Sequence, residues 1–499
     1  MFSVRKLLTI RLQKYIIKMK INRERVIEMR KILSVLFVIC IVFTLCSCGQ
    51  QAESETVPEY DLDIGEVDYK GAEFVFAQRN EEHSTGDEYF GYVVNTEFSD
   101  LAVRRIKEVE EKLHVKITVD LSGGDIGYLV PATTISGLVP FDALQTASNP
   151  MASLARAGYL YDITVLSDIM DYLNAAKWGT KEDLKPLCWN GGLFGVIPAA
   201  WPMLKYRSVD GAVVVNETII GYLQETDPRE LCERDEWTWR KFEELMPVYN
   251  HINDAGDEVM ALETTVHWLF RTMHTTNGVP VVVKDESGDY QLSLHSSADT
   301  FEAMQTAWNW TFGEYSSYVN VNTGDWKVLL QNFIDGRSVV TIMNGTDLCG
   351  SENSIAFNMD NFGVVPFPHG PNGSRANTGA TITETRFVTS IPALCKEPAM
   401  SAAVLDAIYE PLAGYENDDD IVEYLRKQYF FDDRDVYNFV DMYKTVLYNY
   451  RCENVTDAYI SIDRNITMRE TLEKYANADE ANRERYVVNI EASAEEIFG

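Results

Sequence analysis

"GAEFVFA" (Gly71–Ala77) and "LAVRRIKEVEEKLHVKITV" (Leu101–Val119) together decide the fold class. Ala72–Ala77 is an apolar run of strand length. Ala102, Ile106, Val109 and Leu113 recur at intervals of three and four, which marks one face of a helix, and Val115–Val119 then alternates as a half-buried strand does. Strand, helix and strand in that order make a βαβ unit, and strands joined by a helical crossover lie parallel. The chain therefore reads as α/β. Phe141–Leu144 adds a short strand, followed by a loop from Gln145 to Pro150 and a helix over Ser153–Tyr161 that stops at Gly158.

Toward the C-terminus, Leu193–Pro198 and Gly211–Asn216 read as strands, and Thr238 caps a helix carrying Trp239, Phe242 and Met246 on one side. Phe301, Met304, Trp308 and Phe312 predict one further helix. Trp326, Leu329, Leu330 and Phe333 predict another, ending at Gly336 before a strand over Val339–Met343. Lys284–Leu292 reads as a polar hairpin around Ser287–Gly288. Beyond Pro392 the pattern is helical, with Asp418–Asp420 in a loop. Trp237, Trp239, Trp308 and Trp326 occupy cap or core-stripe positions.

Toward the N-terminus, "MRKILSVLFVICIVFTLCSCGQ" (Met29–Gln50) sets Arg30 and Lys31 before an apolar run from Ile32 to Cys46. That is the layout of a secretory signal peptide; a bilayer core needs about 20 apolar residues, and this run is shorter. Its tail, Leu45–Cys48, resembles the lipobox of bacterial lipoproteins, which implies lipidation of Cys48 and a place on the extracellular face of the cell membrane. Residues 1–28 read as a misassigned start, the alternative being an extended basic n-region. The polar stretch 48–65 reads as a disordered tether.

From Cys48 onward the chain holds 34 Lys and Arg against 74 Asp and Glu, about −40 in formal charge. Such a surface disfavours nucleic acid and anionic lipid as partners. About 450 residues exceed one core, so two or more domains are expected. Five cysteines follow Cys48 without a CxxC, which leaves room for one or two bridges or for free thiols. Motifs of nucleophilic, zinc-dependent, phosphate-binding or dinucleotide chemistry are absent from the sequence. No cofactor and no metal is expected, and no enzyme activity.

Several stretches in order resemble the family 1 extracellular solute-binding proteins, the maltose-binding type that serves ABC importers. They are "FDALQTASNPMASLARAGYLYDI", "GGLFGVIPAAWPMLKYRSVDGAVVVNETII", "DPRELCERDEWTWRKFEELM", "FIDGRSVVTIMNG" and "NFGVVPFP" followed by "SIPALCKEPAMSAAVLDAI". The likeness runs from Ala72 to Pro411. Val215–Glu217 lacks the usual Tyr-Asn-Lys, and Arg337–Ser338 replaces Lys-Ala. It implies a two-lobed clamshell of the type II periplasmic-binding-protein kind with a hinge, the N-terminal lobe from 66–208 and 338–394, the C-terminal lobe from 209–337 and 395–499. Crossings are expected near Tyr206–Gly211, Gly336–Thr341 and Ile391–Glu397. It also implies a monomer that delivers a small-molecule solute, with oligosaccharide favoured, to an ABC permease.

The ligand residues follow from that likeness. Asn149 ends the first ligand loop or forms a turn before Pro150. Trp201 stacks on sugar in the cleft or packs under the hinge, and Trp268 offers its ring to ligand or to the helix core. Asn344 and Asp347 follow a strand; Asp347 accepts from hydroxyls or caps a helix. Arg79 and Asn80 close the cleft or sit in an exposed loop. Two rivals remain. A lipid-anchored glycoside hydrolase needs only two carboxylates across a cleft, and an adhesive carbohydrate-binding surface protein needs no transporter.

Overall fold

The computed structural model describes residues 67–78, 88–120, 126–207, 209–321, 326–350, 354–382, 387–455, 461 and 463–499. The N-terminal apolar run, Cys48, Arg79 and Asn80 lie outside them. Among the described residues twelve strands form two large sheets. In chain order they are β1 (Ala72–Gln78), β2 (Val115–Asp120), β3 (Ala143–Thr146), β4 (Val209–Asn216), β5 (His251–Ile252) and β6 (Glu258–Glu263). They continue as β7 (Val319–Asn320), β8 (Ser338–Asn344), β9 (Phe362–Val365), β10 (Thr381–Ile382), β11 (Val388–Ser390) and β12 (Leu447–Tyr448).

The first sheet has the order β11-β3-β1-β2. β1 pairs in parallel with β2 from Ala72–Val115 to Ala77–Asp120, with helix Glu97–Leu113 as the crossover, as the apolar periods predict. β3 is also parallel to β1, and β11 closes the other edge antiparallel to β3. The second sheet has the order β7-β6-β8-β4-β10-β12. β6, β7 and β8 run parallel, whereas β4 opposes β8, β9 and β10.

These pairings correct the expected lobe boundaries. The likeness places Ser338–Asn344 and Phe362–Ile382 in the N-terminal lobe, yet β8, β9 and β10 hydrogen-bond in the second sheet, all three beside β4. The chain returns to the first sheet only between β10 and β11. Helix Pro398–Ile408, expected in the C-terminal lobe, packs instead on helix Glu97–Leu113. The next crossing lies between Pro411 and Asp418, where the buried Arg105 donates from Nη1 to the Glu410 carbonyl at 2.5 Å and from Nη2 to that of Pro411 at 2.7 Å. The end of the chain crosses once more. Helix Met468–Asn482 lies against Ala298–Phe312, while Val488–Phe498 packs on Cys188–Leu193 of the first half.

Two local expectations also shift. The helix after β3 begins at Ser148, so Asn149 and Pro150 form its first turn, where proline's missing N–H is harmless. Asp418–Asp420 form the first turn of helix Asp418–Gln428, whose cap Asn417 accepts from the Asp420 amide at 3.2 Å. Carboxylates there oppose the positive end of the helix dipole. Trp326 is 44% exposed, so it does not belong to the core stripe of its helix. The thiols of Cys188, Cys232, Cys349 and Cys395 are free.

A buried carboxyl sits where the halves touch. Asp183, in helix Lys181–Leu184, accepts from the Thr180 amide and hydroxyl and from the hydroxyl of Tyr443, on helix Asp433–Lys444, at 3.0 Å. Burial pushes its pKa from 3.8 up to about 6, outweighing those hydrogen bonds. An acid whose pKa rises on folding holds its proton more tightly in the native state. Its contribution to stability is full below pH 3.8 and is lost as the pH climbs through about 6. Asp183→Asn should therefore remove a stability difference of about 2 kcal/mol between pH 4 and pH 7.5. Denaturant titrations of both proteins across that range check it; parallel pH profiles would contradict it.

Candidate functional site

The connections between the sheets bring the carboxyl ends of their strands together. β10 ends beside Val209, at the carboxyl end of β8, and β11 begins opposite Thr146, at the carboxyl end of β3. Five residues, 383–387, join them. The first crossing does the same, because Tyr206 lies against Gly345, just past the end of β8, before β4 starts at Val209. A Cβ on Gly345 would stand 2.0 Å from the Tyr206 carbonyl, so only glycine admits this approach. Both crossings thus tie the carboxyl ends of one sheet to those of the other. In open α/β sheets those ends are where ligands bind.

Following each strand to its carboxyl end assembles the lining. On the first sheet these are Gln78, the last residue of β1, and Asn149 after β3. On the second they are Glu263 at the end of β6 with Thr264 and helix Val266–Thr276 after it, then Asn344 at the end of β8 with helix Gly345–Cys349 after it. The Glu263 carboxylate accepts from Asn320 at 2.7 Å and Asn332 at 2.9 Å, and burial raises its pKa. Arg271 donates from Nε to the His267 carbonyl at 3.1 Å and from Nη1 to Asp210 at 3.3 Å. Burial, with Arg271 and Arg451 close by, pushes His267 down to about 3 and keeps it neutral. Buried polar atoms without a hydrogen-bond partner here include Gln78 Nε2, Thr264 Oγ1 and Arg271 Nη2. Among the described residues no group of three or more His, Cys, Asp or Glu is arranged to hold a metal ion.

The sequence candidates distribute unevenly. Asn344 and Asp347 come together as one cap: Asn344 accepts from the Asp347 amide at 2.9 Å and donates to its carboxylate at 2.6 Å. Trp268, one turn into the helix after β6, is 8% exposed. Trp201 lies apart from these. Its ring is fully buried among Tyr92, Phe90 and Tyr409, and Nε1 donates to the Glu410 carbonyl at 3.0 Å, which is the packing arrangement of the two that its position allowed. Gln78, Asp210, Thr264 and Arg271 were not read from the sequence. One signal was available: Arg271 is the only charged residue in the otherwise apolar and neutral run "WLFRTM".

A cavity of about 620 Å³ opens elsewhere, at the Pro411–Asp418 crossing. Its Lys177 already pairs with Asp406 at 2.8 Å and Glu410 at 2.5 Å, so its charge is met within the protein. The strand ends, with their unpartnered polar atoms, are the better candidate.

Solved structures share this architecture. The chain has the fold of ABC substrate-binding proteins. A sugar transporter from Rhizobium etli in an open conformation aligns with 82% of this chain and 100% of its own, at 12% identity and a TM-score of 0.58. Maltose-bound MalE3 of T. maritima covers 82% and 100% at 15% identity and 0.52. An ABC substrate-binding protein from Listeria monocytogenes in complex with cycloalternan covers 83% and 99% at 13% identity and 0.53. At such identities the likeness carries the fold. No family model and no curated sequence matches the chain. Among the described residues no helix is long and apolar enough to cross a membrane.

Trp201→Ala should behave as a core truncation, lowering unfolding free energy by ~3–5 kcal/mol. Urea denaturation followed by far-UV circular dichroism measures it, and a loss below 1 kcal/mol would contradict the packing role.

Proposed function

We propose that this protein is a lipid-anchored, extracellular substrate-binding component of an ABC importer that captures an oligosaccharide between its two halves and delivers it to the permease. The observation that carries the reading is the meeting of the carboxyl ends of both sheets across short crossings, in a fold whose solved counterparts include proteins bound to maltose and cycloalternan. Hinge bending at such crossings closes the two halves on a solute. Unpartnered polar atoms beside buried aromatic residues suit sugar hydroxyls, which need directional donors and acceptors while their C–H faces need apolar cover.

In this reading Asn149, Trp268, Asn344 and Asp347 line the cleft, with Arg79 and Asn80 closing it from the first half. Trp201 acts beneath the hinge through packing. The diacylated Cys48 holds the receptor beside its permease, since two acyl chains anchor stably where one is marginal.

Purified protein screened by thermal melting against oligosaccharides tests the reading. A ligand at 100 times its Kd adds about 2.7 kcal/mol to native-state stability, a shift of a few degrees. A shift without sugar breakdown supports a transport receptor. Released products would make the glycoside hydrolase the better account, and no shift with any sugar would remove the carbohydrate assignment. Cys48→Ser should move the protein from the membrane fraction into the medium, which immunoblotting of the two fractions checks.

A further inference from the structure

Helix Ile126–Ser136 of the first half is apolar toward solvent as well as toward the core. Ile126 and Val130 are buried, and the helix packs on helix Ser148–Arg156. On its other side Tyr128 is 80% exposed and Ile135, two turns on, is 78% exposed; Leu138, just past the helix end, is 75% exposed. These are three of the four most exposed large apolar side chains among the described residues. Gly137, at φ 70°, closes the helix, and the Leu138 amide donates to the Thr133 carbonyl at 3.0 Å. An apolar residue in the place of Leu138 ordinarily packs back on the last turn of such a helix, and here it is left in solvent. Residues 126–141 hold no charged side chain, in a chain that is 24% charged. A contiguous apolar face of this kind marks a contact surface.

The place where the chain enters this half indicates the occupant. The Tyr69 amide donates to the Leu113 carbonyl at 2.9 Å, and His114 Nδ1 meets the Asp68 carboxylate at 3.0 Å, which sets Val67 at the amino end of β1 and β2. The Asp142 amide donates to the Val75 carbonyl at 2.8 Å, so residues 138–140 come out beside the start of β1, at that same end. Residues 48–66 extend at most about 65 Å. A lipid on Cys48 therefore keeps this face within reach of the membrane, where even a weak contact is populated. A protruding, uncharged face fits a bilayer, which accepts apolar side chains without complementary donors or shape and takes tyrosine at the headgroup level. The formal charge of −32 sets the rest of the chain against anionic headgroups, whereas this face meets them without repulsion. We propose that Tyr128, Ile135 and Leu138 rest on the outer face of the lipid bilayer, as a second contact beside the anchor. This depends on the Cys48 anchor of the reading above and goes beyond it.

The test is fluorescence of the lipidated full chain in phosphatidylcholine vesicles, with and without brominated acyl chains, which quench only indoles that enter the acyl layer. Tyr128→Trp and Leu138→Trp each add one indole to the face. Tyr222→Trp adds one at an exposed site on helix Glu217–Leu223 of the second half. After subtraction of the unsubstituted protein, the first two indoles should be quenched about twofold and the third left unquenched. Sodium chloride should not change the quenching, because no charge takes part. Ile135→Asp, a change at an exposed position, should abolish the quenching when added to the Tyr128→Trp chain. Face indoles quenched no more than the Tyr222→Trp indole, in protein that floats with the vesicles, would overturn this inference and leave the anchor standing. Protein that does not float with the vesicles would overturn both. A dimer of the Cys48→Ser chain that Ile135→Asp dissociates would assign the face to a second copy. Import lost in Ile135→Asp with no quenching of the face indoles would assign it to the permease, and either result defeats the proposal.

Discussion

Strand β4 is buried along all eight of its residues and hydrogen-bonds to β8, β9 and β10. A strand with backbone donors and acceptors on both edges and no water must have them paired. The three partners come from 338–344, 362–365 and 381–382, so everything from β8 through β10 is drawn to the second half. The return crossing is consequently delayed to the few residues between β10 and β11, and it falls beside the first crossing at the carboxyl ends. The position of the return crossing and of the residues at the strand ends follows from where β4 finds its partners.

The two halves are also joined away from the hinge. Tyr443 reaches Asp183, Arg105 holds the carbonyls of the Pro411 turn, and the last helix sets Glu491 against Lys185 at 2.9 Å and Glu495 against Lys284 at 2.7 Å. Lys185 belongs to the first half and Lys284 to a hairpin of the second, so one helix touches both. The Lys284 pair is exposed and of little energetic weight. The Lys185 pair is shielded, and its partners Glu182 and Glu491 raise the lysine's pKa against the cost of burial. Lys185 and Arg105 thus act where elements from different parts of the chain join.

Much of the local structure was legible in the sequence. The βαβ unit at Ala72–Asp120, the Thr238 cap, the helices ending at Phe312 and Ile334, and the hairpin at Val282–Leu292 formed as their patterns indicate, because hydrophobic period, capping side chains and glycine turns act over a few residues. The cleft was less so. Asn344 and Asp347 do lie together after a strand, while the packing role of Trp201 is set by three aromatic neighbours, each more than a hundred residues away in the chain.

The sequence alone determined that this is an α/β chain with a signal-like N-terminus, a strongly acidic body and a specific series of strands and helices. Those properties reside in composition and short-range pattern. Only the tertiary structure decided which half each strand joins, since β8, β9 and β10 are apolar runs that either sheet would bury, and pairing with β4 is a contact between distant segments. It also decided that Arg271 keeps one buried donor open beside Asp210, because a deficit of partners exists only once every neighbour has been put in place.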